Sequence, residues 1–147
     1  MMNLMKFMLA GTVFFVIATF DNNAQSCRDY EKKCHSAPKE FKQSSLSRSF
    51  AIRKMKKIKL NTTFLGDREY HVAVCGRGKL GKIHIRLISD DAYRTVLYDN
   101  AADNFAVEKV FEIRETVKVF VEITAPHFFA DNEFECAGIN ITYKDLK

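Results

Sequence analysis

The chain has 147 residues, 47% of them hydrophobic and 28% charged, with a formal net charge of +5. That length supports one domain around one core and excludes a catalytic fold of protein-kinase size. The positive balance fits a plain solvated strand face, a polyanionic glycan or an anionic membrane surface, and the leader described next sets nucleic acid aside.

Residues 1–26 have the layout of a signal peptide. Lys6 supplies the positive start, Phe7 to Ala18 an apolar stretch too short for a membrane span, and Asp21-Asn22-Asn23 the polar exit, with cleavage after Ala24 or Ser26. Cys27, directly after Ser26, raises a lipoprotein reading, which Gln25 and Ala24 fit poorly. Residues 27–147 then form one domain, with a periplasmic or secreted location, no membrane span, and cysteines free to oxidise.

Ser26–His35 reads as a short helix, stopped by Pro38. Lys39–Arg48 is a polar loop, and Ser49–Arg53 a short strand. Lys54–Phe64 alternates, with Ile58, Leu60, Thr62 and Phe64 on one face and Lys57, Lys59 and Asn61 on the other. Leu65-Gly66-Asp67-Arg68 is a turn. Tyr70–Ile88 reads as a central β-hairpin, with Tyr70, Val72 and Val74 on one arm and Ile83, Ile85 and Leu87 on the other. Its turn, Gly76-Arg77-Gly78-Lys79-Leu80-Gly81-Lys82, matches both G-x-G-x-x-G and G-x-x-x-x-G-K. An alternating run follows where a phosphate site needs a helix, so the glycines read as turn formers.

Tyr93–Tyr98 is a short strand, Phe105–Arg114 another, and Thr116–Thr124 the cleanest alternation of all, ended by Pro126. A loop with Phe128 and Phe129 leads into the last strand, Glu135–Tyr143. About eight short strands without a βαβ rhythm predict an all-β fold: an antiparallel β-sandwich, jelly-roll-like, with a short N-terminal helix.

Four cysteines, Cys27, Cys34, Cys75 and Cys136, allow three pairings. A helix over 26–35 would hold Cys27 and Cys34 too far apart to bridge. Cys75 and Cys136 both point away from their strands' apolar faces, so the expected bridge is Cys75–Cys136. There is no C-x-x-C pair, and His35, His71, His84 and His127 are scattered, which argues against zinc.

Ser45-Leu46-Ser47-Arg48-Ser49, Glu69 to Cys75, Leu80 to Ile83, Val96 to Asn100 and Glu135 to Ile139 together resemble a group of small exported β-sandwich proteins of Bacteroidetes-type bacteria. In architecture the chain also resembles, distantly, the β-sandwich domains appended to secreted peptidases. Both resemblances imply a location and a fold, and neither carries over a catalytic residue.

No G-x-S-x-G, H-E-x-x-H or S-x-x-K pattern occurs, so no catalytic residue and no cofactor is assigned. Asp90, Asp91, Asp99 and Asp103 flank one short strand, where they read as turn formers or, converging, as ligands for calcium. The candidate contact residues are the basic run Lys54, Lys56, Lys57 and Lys59 and the aromatic loop Phe128-Phe129, whose rings otherwise cap one end of the sandwich core. The expected function is a non-catalytic exported binding or structural protein whose partner is a cell-envelope component, a glycan or a protein. The alternative is a glycan-active or other hydrolase, which requires carboxylates converging in a cleft.

Overall fold

Alternating apolar residues bury one face of each strand, and two such faces closed on each other make the core. A computed structural model describes residues 27–130 and 133–147. The expected signal peptide, 1–26, lies outside the described residues. The strands are β1 (Lys42–Gln43), β2 (Arg48–Arg53), β3 (Ile58–Phe64), β4 (Arg68–Gly76), β5 (His84–Ser89), β6 (Val96–Asp99), β7 (Glu108–Ile113), β8 (Val117–Thr124) and β9 (Phe134–Asp145).

The first sheet runs β2-β9-β4-β7, with β1 beside β2 on the same flank of β9; the second runs β3-β8-β5-β6. All pairings are antiparallel and nested: β2 with β9, β3 with β8, β4 with β7, β5 with β6. Such nesting is a long hairpin rolled up so that alternate pairs fall in opposite sheets. The expected jelly roll is the fold observed.

The central hairpin does not form. β4 and β5 lie in different sheets, so Gly76 to Ile83 is an arch over the end of the sandwich. Tyr70, Val72 and Val74 therefore face Ile85 and Leu87 across the core instead of lying beside them. Within the arch, a 3₁₀ turn at Gly78–Leu80 drops Leu80 into the interior, where it is 0% exposed. Lys54–Phe64 also divides. β2 ends at Arg53, Met55 takes a positive φ, and the chain changes sheets before β3 begins at Ile58.

The outer face of the first sheet is covered by the segment preceding β1. Within the described residues its expected helix is no α-helix but a 3₁₀ turn, Tyr30–Lys33, entered through Asp29 in the left-handed region. Disulfides Cys27–Cys136 and Cys34–Cys75 pin both ends of this strap. The expected Cys75–Cys136 bridge is thereby corrected. The two cysteines do share a face, but Cys75 lies opposite Gly138 in the ladder, one diagonal step from Cys136. Diagonal neighbours stand about 7–8 Å apart, beyond the reach of a disulfide. The strap fills that gap, with the Glu31 backbone lying directly on Gly138. Because the Cys27 sulfur is bonded to Cys136, it cannot also carry a lipid thioether.

Candidate functional site: the charged outer face of the second sheet

The strand phase that buries Leu60, Val121 and Leu87 turns their neighbours outward. Register then aligns Lys59, Glu122, Arg86 and Asp99 as direct partners across β3, β8, β5 and β6, a row alternating in charge over the whole sheet. Lys57 Nζ lies 2.9 Å from Glu122 Oε2, and Arg86 Nη1 3.6 Å from the same oxygen. Arg86 Nε is 3.4 Å from Asp99, and His84 Nε2 is 2.7 Å from it. Burial raises the Asp99 carboxyl's pKa. The hydrogen bonds from His84 and the Ala101 amide and the charge of Arg86 outweigh this and leave it below its ordinary value.

The next row is mostly apolar: Asn61 on β3 and Ile88 on β5 flank Phe120 on β8, with Val96 beyond on β6. Lys59 Nζ stands 3.7 Å from the Phe120 ring centroid and Arg94 Cζ 4.4 Å, so two cations share one ring. Such contacts are worth about 0.5–1 kcal/mol each at exposed sites. Lys118, on the same face, is exposed. Lys57, Lys59, Arg86, Arg94 and Lys118 against Glu122, Asp99 and the exposed Asp90, whose amide donates to the Lys118 carbonyl, leave the face net positive.

Of the basic run, Lys57 and Lys59 therefore reach this face, whereas Lys54 and Lys56 stay in the turn between the sheets. Arg86, Arg94 and Lys118 were not among the sequence candidates. Their alternation with buried neighbours was visible, but the register that assembles them was not. Phe128 and Phe129 part company: Phe128 is 3% exposed and joins the core, while Phe129 is 63% exposed.

The four aspartates do not assemble for calcium. Asp91 accepts the amides of Tyr93 and Arg94, Asp99 caps a 3₁₀ turn through the Ala101 amide, and Asp103 pairs with Lys109 at 3.1 Å. Among the described residues no three His, Cys, Asp or Glu side chains converge as a metal site.

A second constellation lies on the outer side of the first sheet. Glu108 Oε2 is 3.0 Å from His71 Nε2 and 3.4 Å from His35 Nδ1. The His71 hydrogen bond, helped by His35 and opposed by burial, holds the Glu108 carboxyl below its ordinary value. His71, Glu108 and Asp103 line a cleft of about 790 Å³ beside β7.

No family model and no curated protein matches the chain. Among solved structures it is similar to PliG from Aeromonas hydrophila, a periplasmic inhibitor of g-type lysozyme, at 10% identity and a TM-score of 0.49. That match covers 75% of this chain and 93% of the other. The resemblances to Bacteroidetes-type exported proteins and to peptidase-appended domains gain no support from these comparisons.

Proposed function

We propose that this chain is an exported, non-catalytic binding protein whose second sheet holds an anionic cell-envelope component against its outer face. The observation that carries the reading is the four-strand row from Lys59 to Asp99, bordered by Lys57, Arg94 and Lys118 in excess over the carboxylates. Two disulfides, both built into the packing of the strap, support an oxidising compartment. An exposed cationic face gives affinity that salt screens within a Debye length of about 8 Å. The test is retention on isolated envelope and on a sulfated resin at low and high salt. Retention at low salt, release at high salt, and loss in Lys59→Glu plus Lys118→Glu is the expected pattern. Unchanged retention in that double variant refutes the reading, and loss instead in Lys54→Glu plus Lys56→Glu or in Phe129→Ala moves the site to the turn or the aromatic loop.

The hydrolase reading rests on Asp103 and Glu108 lining one cleft with His71. Release of reducing ends from purified envelope glycan, abolished in Glu108→Gln, is the result that favours it.

A further inference from the structure

β7 is the outer strand of the first sheet, and among the described residues only β4 pairs with it. The Val107 carbonyl accepts from the Val74 amide. By strand alternation, the N–H and C=O groups of Glu108, Val110 and Glu112 then face away from the sheet. Val107 and Val110 are half exposed along this edge.

Cavities flank the edge on both sides. On the outer side is the cleft of about 790 Å³ with Glu108, Asp103, His71 and Val110 in its walls. On the core side is a slot of about 350 Å³, whose walls include Phe64, Leu87, Leu97, Tyr98 and Phe111. The Tyr98 hydroxyl is buried without a hydrogen-bond partner. A strand laid along β7 sends successive side chains alternately to these two sides.

The chemistry of the sides differs. The slot is apolar. Around the cleft and the slot's rim, Lys109 is paired with Asp103 and Arg114 with Glu112, whereas among the described residues Glu108 meets only the imidazoles of His71 and His35, and Glu115 has no Lys or Arg partner. We propose that β7 is a strand-addition site for an extended segment of another protein that alternates apolar with cationic residues, the apolar ones entering the slot and the cationic ones facing Glu108. A second copy of this chain is the competing occupant, disfavoured in the register centred on Val110. Antiparallel self-pairing about Val110 sets Glu108 opposite Glu112 twice, and like charges directly opposite repel.

The probe is a labelled eight-residue peptide of alternating Ile and Lys, compared with one of alternating Ile and Glu. The Ile/Lys peptide is expected to bind at least tenfold more tightly and to slow amide exchange at Glu108, Val110 and Glu112. Val110→Pro removes an outward N–H without touching the ladder to β4 and should weaken binding about tenfold or more. Leu97→Glu, at a slot residue already 49% exposed, should weaken it independently of any effect of proline on folding. Lys59→Glu plus Lys118→Glu should leave peptide binding unchanged, which separates this site from the cationic face. Equal binding of both peptides, binding indifferent to Val110→Pro and Leu97→Glu, protection confined to the second sheet, or a peptide-free dimer protecting the same three amides overturns the proposal.

Discussion

Gly138 has no room for a side chain. A Cβ there would stand 2.5 Å from the Glu31 Cα and 2.7 Å from its nitrogen, both rigid backbone atoms held in place by the two disulfides. Gly78, in the arch, has open space around it. Gly138→Ala should therefore cost about 1–3 kcal/mol in urea unfolding of the oxidised protein, and Gly78→Ala no more than about 0.5 kcal/mol. A small effect at Gly138 would mean the strap does not lie on it. The sequence showed that Cys75 and Cys136 share a face but held no clue to the residue between them, because register is a property of two strands and not of either alone. Asp99 and Glu108 contribute to the acid response, beside the fully exposed Asp29, which its hydrogen bond from Lys32 also holds low. The Asp99 and Glu108 carboxyls sit below their ordinary values of 3.8 and 4.5. A depressed folded-state pKa gives stability that is present above the unfolded value and is lost as pH falls through the folded one. Denaturation midpoints should hold steady above about pH 5 and fall below about pH 4.5. Asp99→Asn should be less stable at neutral pH and less acid-sensitive; a parent-like slope in this variant would assign the acid response elsewhere.

The arch between β4 and β5 shows what alternation does and does not encode at the scale of an element. Tyr70-Val72-Val74 and Ile83-Ile85-Leu87 have the same pattern whether they lie side by side in one sheet or face each other across two. Both readings bury the same residues. What separates them is Leu80: at the tip of a hairpin it would meet water, whereas the 3₁₀ turn carries it fully into the core. The turn is tight enough that a Cβ on Gly76 would stand 2.6 Å from Leu80 and 2.8 Å from Ile83. Leu80→Ala should cost about 2–5 kcal/mol by calorimetry, the range for emptying a buried leucine site; under about 0.5 kcal/mol would restore the hairpin. The long uniform elements, β8 and β9, were legible because alternation persisted over them. The strap was not, since its 3₁₀ turn is set by two cross-links and by Gly138, not by the helix propensity of Asp29 to Lys33. The charged face was half legible for the same reason. Lys57 and Lys59 stand out in their own strand, while Arg86, Arg94 and Lys118 join them only through pairing.

At the scale of the molecule, nested pairing makes the outermost contact the most distant in sequence. β2 meets β9 with Arg48 opposite Ile139, and β1 meets it with Lys42 opposite Tyr143, so the first sheet cannot close until the chain has folded back on itself. Loop-closure entropy falls before such contacts repay it, and β-sandwiches of this kind fold in about milliseconds to seconds. Cys27–Cys136 spans 109 residues and joins the strap to β9 itself, whereas Cys34–Cys75 spans 41. On the chain-entropy account the longer cross-link removes about 5 kcal/mol of unfolded-state freedom and the shorter about 4 kcal/mol. The location matters more than that difference: only the longer one brings the neighbourhood of β2 to β9 before folding begins. Refolding from urea with disulfides intact should therefore slow at least tenfold in Cys27→Ser plus Cys136→Ser, and less in Cys34→Ser plus Cys75→Ser. The chain has no tryptophan and five tyrosines, so stopped-flow tyrosine fluorescence reads the rate. If the first variant instead refolds at the parent rate and only unfolds faster, β2 joins β9 after the rate-limiting step. The roll would then be closed last by the strap, rather than started by it.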